Sequence, residues 1–251
     1  MFDFRLTALA LLMVSLLVNG FVAVHEYQQT TRRASSCLMS SSEALFDSEG
    51  WKAIQVDLDR VPVFTVATQE GHPLAYTVEI KGNTFNVPCF YCDVAAALFE
   101  LEQAKSNWDE KTAETSGEDL DIVPFPLGKA FELWATDQAV IVPSKQSILQ
   151  AGAPPGTNPI GQQVPMFACM EIMEQDEDGG GAKLPVFMSL DDANAAVKEA
   201  VDADGGKVED FDVACLSLSG CVEQLATVPE TPAFHFIPPS NSMKYIQDYL
   251  S

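Results

Sequence analysis

Cys89-Phe90-Tyr91-Cys92 is the one stretch of this sequence with the spacing of a redox or metal-binding motif. A thiol attacks a disulfide as its thiolate, and a helix N-terminus lowers the thiol pKa enough to supply that form. In the thioredoxin pattern the first cysteine stands at the helix start and the second lies one turn inside. Here the helical periodicity begins only after Cys92, so the pair sits about three residues too early. The residues therefore read Cys89 as a small buried hydrophobe and Cys92 as a weak helix cap, with thiol–disulfide exchange as the alternative. Cys169, Cys215 and Cys221 lack the Cys-x-x-Cys spacing, and a structural zinc needs a second ligand pair. His25, His72 and His235 are too dispersed for a histidine-based metal site. The acid-rich stretches Asp109–Asp119 and Glu174–Asp178 lie beside Gly or Ser and read as solvated loops; the second lacks the ligand spacing of a calcium loop. No Gly-Lys-Ser/Thr follows Gly179-Gly180-Gly181, and there is no Gly-x-Ser-x-Gly and no Ser–His–Asp set. The expectation is a protein without catalytic residues, cofactor or metal.

The apolar surplus is more informative. The chain has 15 Phe and 8 Met. Phe64, Phe90, Phe125, Phe131, Phe167 and Phe187 fall at or near matched positions of an internal repeat. Packing in the core is one reading of them. The other is an apolar groove beside the junction of the two halves, suited to extended or helical apolar peptides. These six are the candidate peptide contacts.

The repeat is the frame that would position them. Val61-Pro62-Val63-Phe64 matches Val164-Pro165-Met166-Phe167, 103 positions on. Pro88-Cys89-Phe90-Tyr91 matches Pro185-Val186-Phe187-Met188 at an offset of 97, which sets Cys89 on Val186 and Cys92 on Ser189. Leu120–Val123 matches Phe211–Ala214 at 91, and Val140–Pro143 matches His235–Pro238 at 95. Two halves follow, roughly Gln55–Ala151 and Asn158–Ser251, joined by a Pro/Gly linker. Each reads as a β-branched strand, a turn (Gln69–Pro73; Asp176–Gly181), returning strand (Leu74–Ile80; Leu184–Met188) and a helix. The helix stripes are Val94, Ala97, Leu98, Leu101 and Leu190, Ala193, Val197, Val201, with Ser189 as an N-cap. A short strand, a short helix, a further strand and a closing helix (Ser144–Ala151; Ser242–Leu250) complete each half. The class is α+β, a single domain over residues 51–251 built of two pseudo-symmetric halves.

Residues 1–20 read as a signal peptide: Leu6–Val18 is apolar but too short to span ~30 Å of hydrocarbon. Residues 21–46 hold Arg32 and Arg33 against one acid up to Ser42 and are rich in Ser and Thr, the composition of a transit peptide. Such a two-part leader resembles those of proteins imported into complex plastids. The whole chain has 251 residues and a net charge of -22; from Trp51 onward it keeps 11 basic and 31 acidic residues. This acidity argues against nucleic acid and against anionic membrane surfaces as partners. No run after the leader is long and apolar enough to insert in a bilayer.

The VPVF strand followed by Gly71-His72-Pro73-Leu74, the helix after Pro88, Val123–Trp134 and the closing Phe234-His235-Phe236-Ile237-Pro238 resemble the twenty-two-kilodalton Tic translocon family. Tic stands for translocon at the inner chloroplast envelope. The resemblance covers about Gln55 to Ser251. It implies a pseudo-symmetric fold with hydrophobic pockets on two sides, and a non-enzymatic, chaperone-like role in plastid protein import. The partners implied are unfolded precursor proteins or transit peptides and other translocon subunits. The place implied is the envelope intermembrane space. Cys89 and Cys92 depart from the family pattern and keep the thiol–disulfide oxidoreductase alternative open. A third alternative is an assembly or structural partner of a plastid membrane complex.

Overall fold

The structure is a computed structural model that describes residues 45–80, 82–107, 119–175, 182–204, 206–227 and 234–250. The signal peptide, nearly all of the transit-like leader, residues 108–118 and residues 176–181 lie outside the described residues.

Helix α1 (Glu49–Leu58) opens the fold, where the sequence shows Trp51, Ile54 and Leu58 at i, i+3 and i+7. Its N-cap is Ser48, whose Oγ accepts from the Trp51 N–H at 3.0 Å. Leu45 and Phe46 already pack against the core. The first sheet contains β1 (Pro62–Thr68), β2 (Ala75–Ile80), β3 (Asn83–Tyr91), β4 (Leu120–Pro126) and β5 (Val140–Val142). Helices α2 (Val94–Ser106) and α3 (Leu127–Ala135) lie between them in the chain, and α4 (Lys145–Gln150) follows. The second sheet contains β6 (Pro165–Cys169), β7 (Glu174–Gln175), β8 (Ala182–Phe187), β9 (Val213–Ser217) and β10 (Phe234–Ile237). Its helices are α5 (Leu190–Asp204), α6 (Leu218–Thr227) and α7 (Ser240–Leu250).

Both sheets follow one plan. β1 is antiparallel to β3 and β4, β2 antiparallel to β3, and β5 parallel to β3. In the same way β6 is antiparallel to β8 and β9, β7 antiparallel to β8, and β10 parallel to β8. Phe64 pairs with Tyr91, and Phe167 with Phe187. The Cys92 N–H bonds Val142 O, and the Met188 N–H bonds Ile237 O. These pairings keep the offsets of 103, 91 and 95 but correct the fourth. Tyr91 stands with Phe187 and Cys92 with Met188, one residue off the sequence match. A one-residue slip in a strand exchanges its faces, so Cys89 corresponds to Pro185 and not to Val186. The residue matching Ser189 is Asp93, and Asp93 is the real N-cap of α2, its carboxylate accepting from the Ala95 N–H at 2.9 Å.

Alternation along the strands divides the apolar residues into three cores. The central core takes Val61 and Val63 of the first sheet, Met166, Ala168, Leu184 and Val186 of the second, and the apolar stripes of α1, α3 and α6. The first outer core lies between β1–β5 and α2 and includes Phe64, Val66, Leu120 and Ile122. The second outer core is smaller: Phe167, Phe187 and Ala193 are its buried members among the described residues. Leu98 leaves the predicted stripe of α2, because Val94, Ala97 and Leu101 alone face the sheet while Leu98 is exposed.

The halves also exchange helices. Gln146 and Gln150 of α4 donate to Asp191 at the start of α5, at 2.7 and 3.0 Å. Asn241 of α7, 95 positions after Gln146, donates to Asp93 at the start of α2 at 3.2 Å. Each closing helix thus docks on the other half.

Candidate functional site

The six phenylalanines proposed from the sequence are placed mainly inside. Phe64, Phe90, Phe131 and Phe167 are among the largest fully buried side chains, and Phe187 is 7% exposed. Phe90 and Phe131 belong to the central core, Phe64 to the first outer core, and Phe167 and Phe187 to the second. Phe125 is half-buried and stacks on Phe90 with centroids 4.7 Å apart. The structure does not bring these residues together into one groove. Strand alternation and, for Phe131, the inner face of α3 send them to three different cores.

The Cys89/Cys92 pair is divided in the same way. Cys89 and Tyr91 point into the first outer core, whereas Phe90 and Cys92 point into the central core. The two thiols are buried, free and on opposite faces of β3 and its extension. A disulfide needs Cβ atoms directed at each other, roughly 3.5–4.5 Å apart. Burial pushes the Cys89 thiol up to about 11 and raises Cys92 above the ordinary thiol range. Cys169 and Cys215 are likewise pushed up to about 11 by burial, and Cys221 to about 12. None of these is an activated nucleophile at neutral pH. Cys92 is also not the cap of α2, a role that Asp93 fills. Among the described residues, no three His, Cys, Asp or Glu side chains come together to hold a metal.

The surface offers something different from the expected set. Phe99 and Tyr249 are 62% and 56% exposed, and Leu98 is 39% exposed. Phe99 and Leu98 stand on α2, and Tyr249 on α7. The bond from Asn241 to Asp93 sets the starts of these two helices side by side on the outer face of the first sheet. Ala96 and Ala104 of α2 pack against the first outer core. Tyr245 covers Phe64 with centroids 5.9 Å apart and stacks against Tyr249 at 6.1 Å. Leu98, Phe99 and Tyr249 thus add exposed apolar side chains to the two helices over one outer core.

On the other sheet fewer of the described residues form the cover. By the offset of 95, the place of Tyr245 falls to Gln150, the last residue of α4. Leu190, Ala196, Val213, Cys215 and Ile237 remain only partly buried around Phe167 and Phe187. Leu149 of α4 is 38% exposed. Both outer faces therefore present partly covered apolar side chains within a strongly acidic surface. Chemically this arrangement can bind apolar side chains by burial. Of these exposed side chains the sequence stripe held only Leu98, as a core residue, because Phe99 lies off the buried face of α2. The missing turn of α4 was legible as Gly152-Ala153-Pro154-Pro155, which ends the helix.

Among the described residues, no helix is long and apolar enough to cross a membrane. No protein-family model matches this sequence, and no curated protein does. Solved structures do. Tic22 from Anabaena, described as a protein of protein transport, is 20% identical and superposes with a TM-score of 0.58 over 79% of this chain and 96% of that one. Tic22 from Plasmodium falciparum is 21% identical, with a TM-score of 0.60 over 78% of this chain and 97% of that one. The chain has the Tic22 fold.

Proposed function

We propose that this chain is a Tic22-type factor of plastid protein import that holds precursor proteins unfolded, without catalysing a reaction. The observation that carries this reading is the shared fold over 96% and 97% of two Tic22 chains, one of them described as protein transport. Three further features support it. The two-part leader has the composition of an address to a complex plastid. The exposed Leu98, Phe99 and Tyr249 supply apolar surface that a monomer has no structural need to show. The net charge of -22 draws basic transit peptides over distances of about a Debye length. The compartment we assign is the envelope intermembrane space, and the partners are unfolded precursors, transit peptides and other translocon subunits. Thiol–disulfide exchange through Cys89 and Cys92 is not proposed, since the two thiols face different cores.

The test is suppression of light scattering from a chemically unfolded, aggregation-prone client. We expect suppression near an equimolar ratio, weakened by Phe99→Ser together with Tyr249→Ser. Both side chains are mostly exposed, so these changes leave the fold intact. A folded protein that suppresses nothing would sink the holding role and favour the assembly partner of a plastid membrane complex.

A further inference from the structure

The two sheets end in edge strands at matching places, β4 in one and β9 in the other. Their registers show which backbone groups face outward. The Leu127 N–H bonds Val61 O, and the Leu218 N–H bonds Val164 O, both at 2.9 Å. In an antiparallel ladder the bonded residues recur in twos. Phe125 and Val123 therefore bond inward to β1, and Leu216 and Ala214 bond inward to β6. The residues between them turn N–H and C=O away from the sheet. These are Ile122, Pro124 and Pro126 on β4, and Val213, Cys215 and Ser217 on β9.

The β4 edge is closed. Pro124 and Pro126 carry no N–H, and the Ile122 N–H is taken by its neighbour Asp121 through Oδ1 at 2.8 Å. Among the described residues the β9 edge is open. At the offset of 91 it has Cys215 and Ser217 where β4 has proline. The N–H groups of Val213, Cys215 and Ser217 meet no acceptor among the described residues. All three residues are half-buried. Unpaired donors and acceptors in a row are the template for adding a strand.

We propose that the β9 edge binds an extended segment of another polypeptide by strand addition, its apolar side chains resting on Val213 and Cys215 and its basic flanks facing Glu209, Asp210 and Asp212. Val213 and Cys215 border the second outer core and are only partly buried, so alternate side chains of an added strand extend that apolar face. Glu209 and Asp210 are exposed beside the strand, and this sets the sign of the partner. A second copy would bring two surfaces of the same sign together. The inference rests on the reading of this chain as a polypeptide-holding factor and gives it a main-chain mode, which accepts many sequences because it reads backbone.

The probe is a fluorescein-labelled peptide of alternating Val and Thr flanked by Lys and Arg, titrated by anisotropy against the full chain. Cys215→Pro copies the Pro124 already tolerated on β4. It should weaken binding about tenfold or more, while Cys215→Ala, which keeps the N–H, should change it less than about twofold. The same peptide with alternate amides N-methylated, in the register that blocks bonding to β9, should bind at least about tenfold more weakly. A Cys215→Pro protein that is folded by circular dichroism and binds like wild type would overturn the proposal. So would an N-methylated peptide that binds undiminished, and this result stands even where Cys215→Pro fails to fold. A wild-type dimer in sedimentation that Cys215→Pro abolishes would overturn the peptide occupant in favour of a second copy. Client holding that persists in Cys215→Pro at full strength removes the edge and leaves the holding role. Peptide binding at β9 by a protein that suppresses no aggregation upholds the edge and removes the holding role.

Discussion

The two sheets share strand order and pairing sense but differ in what covers their outer faces. Over the first lie α2 and the eleven-residue α7, whose Tyr245 and Ile246 seal Phe64 and its neighbours. The second is packed by α5, and the six-residue α4 bonds to Met188 and to Asp191 at the start of α5 and ends at Gln150, the place that matches Tyr245. The inner faces meet in one central core and must match each other. Among the described residues the outer faces are covered mainly by helices, with Ile160 of the linker added on the first, so each is freer to change. In a duplicated architecture the shared interior holds the plan, and differences accumulate where a partner can use them. The closed β4 edge and the open β9 edge follow the same division.

The largest test of this contrast is at paired aromatic positions. Phe64 and Phe167 are both fully buried and occupy the same place in their sheets. Truncating a buried Phe to Ala costs about 3–5 kcal/mol, more where the site cannot collapse. Phe64→Ala should fall near the top of that range, about 5 kcal/mol, because the residue is walled by β1, α2 and Tyr245. Phe167→Ala should cost about 3 kcal/mol, since its smaller cover among the described residues can settle or admit water. Urea unfolding of the full chain measures both. Equal losses, or a larger loss at Phe167, would mean that the second outer core is as well enclosed as the first.

Much of the fold could be read from the sequence, and the misses have identifiable causes. Three of four repeat offsets survive in the strand pairing. The fourth slipped by one because aligning Phe90 with Phe187 looks best by residue type, while burial face, which changes at every residue, sets the register. Helix α1 was missed although Ser48, Trp51, Ile54 and Leu58 display its cap and stripe. Its first residues adjoin a leader-like composition, which masks the start of the periodicity. The candidate site was less legible. Alternation tells which face a phenylalanine takes but not whether that face is covered. The cover of Phe64 comes from Tyr245 at the far end of the chain. The edge contrast, by comparison, was present in the letters: Pro124 and Pro126 against Cys215 and Ser217 at one offset.

A middle-sized effect should appear with opposite signs in the two halves. Ser147 of α4 and Ser242 of α7 are matched and both buried, 5% and 0% exposed. The Ser147 Oγ donates to Met188 O across the halves at 3.0 Å. The Ser242 Oγ is buried with no partner among the described residues. Removing a satisfied hydroxyl strands its acceptor, at a cost of about 1–3 kcal/mol, whereas removing an unsatisfied one relieves a desolvation cost. Ser147→Ala should therefore destabilise by about 1–2 kcal/mol, and Ser242→Ala should stabilise by up to about 1 kcal/mol. Thermal unfolding decides it. A loss at Ser242 would show that its hydroxyl does find an acceptor, which by the same matching would be the Cys92 carbonyl.

The smallest effect concerns a carboxylate present in one outer core only. At the offset of 96, Glu100 of α2 stands where α5 has Ala196. Burial raises the Glu100 pKa, and the groups it influences on the strands below are Tyr76, Cys89 and Tyr91, all neutral at pH 7. With the folded pKa above the unfolded one, the native state holds the proton more tightly between the two values. Stability from this group is therefore present at low pH and is lost as pH rises through that window, which opens near ~4.3, the unfolded carboxyl value. Glu100→Gln removes the penalty. It should raise Tm slightly at pH 7, with the gain shrinking to nothing as the pH is lowered past the unfolded value. The matched change Ala196→Gln, which sets an amide into the second outer core, should give no such pH-dependent difference. A gain at Glu100→Gln that is constant with pH would trace it to packing, and the first outer core would then carry no more electrostatic strain than the second.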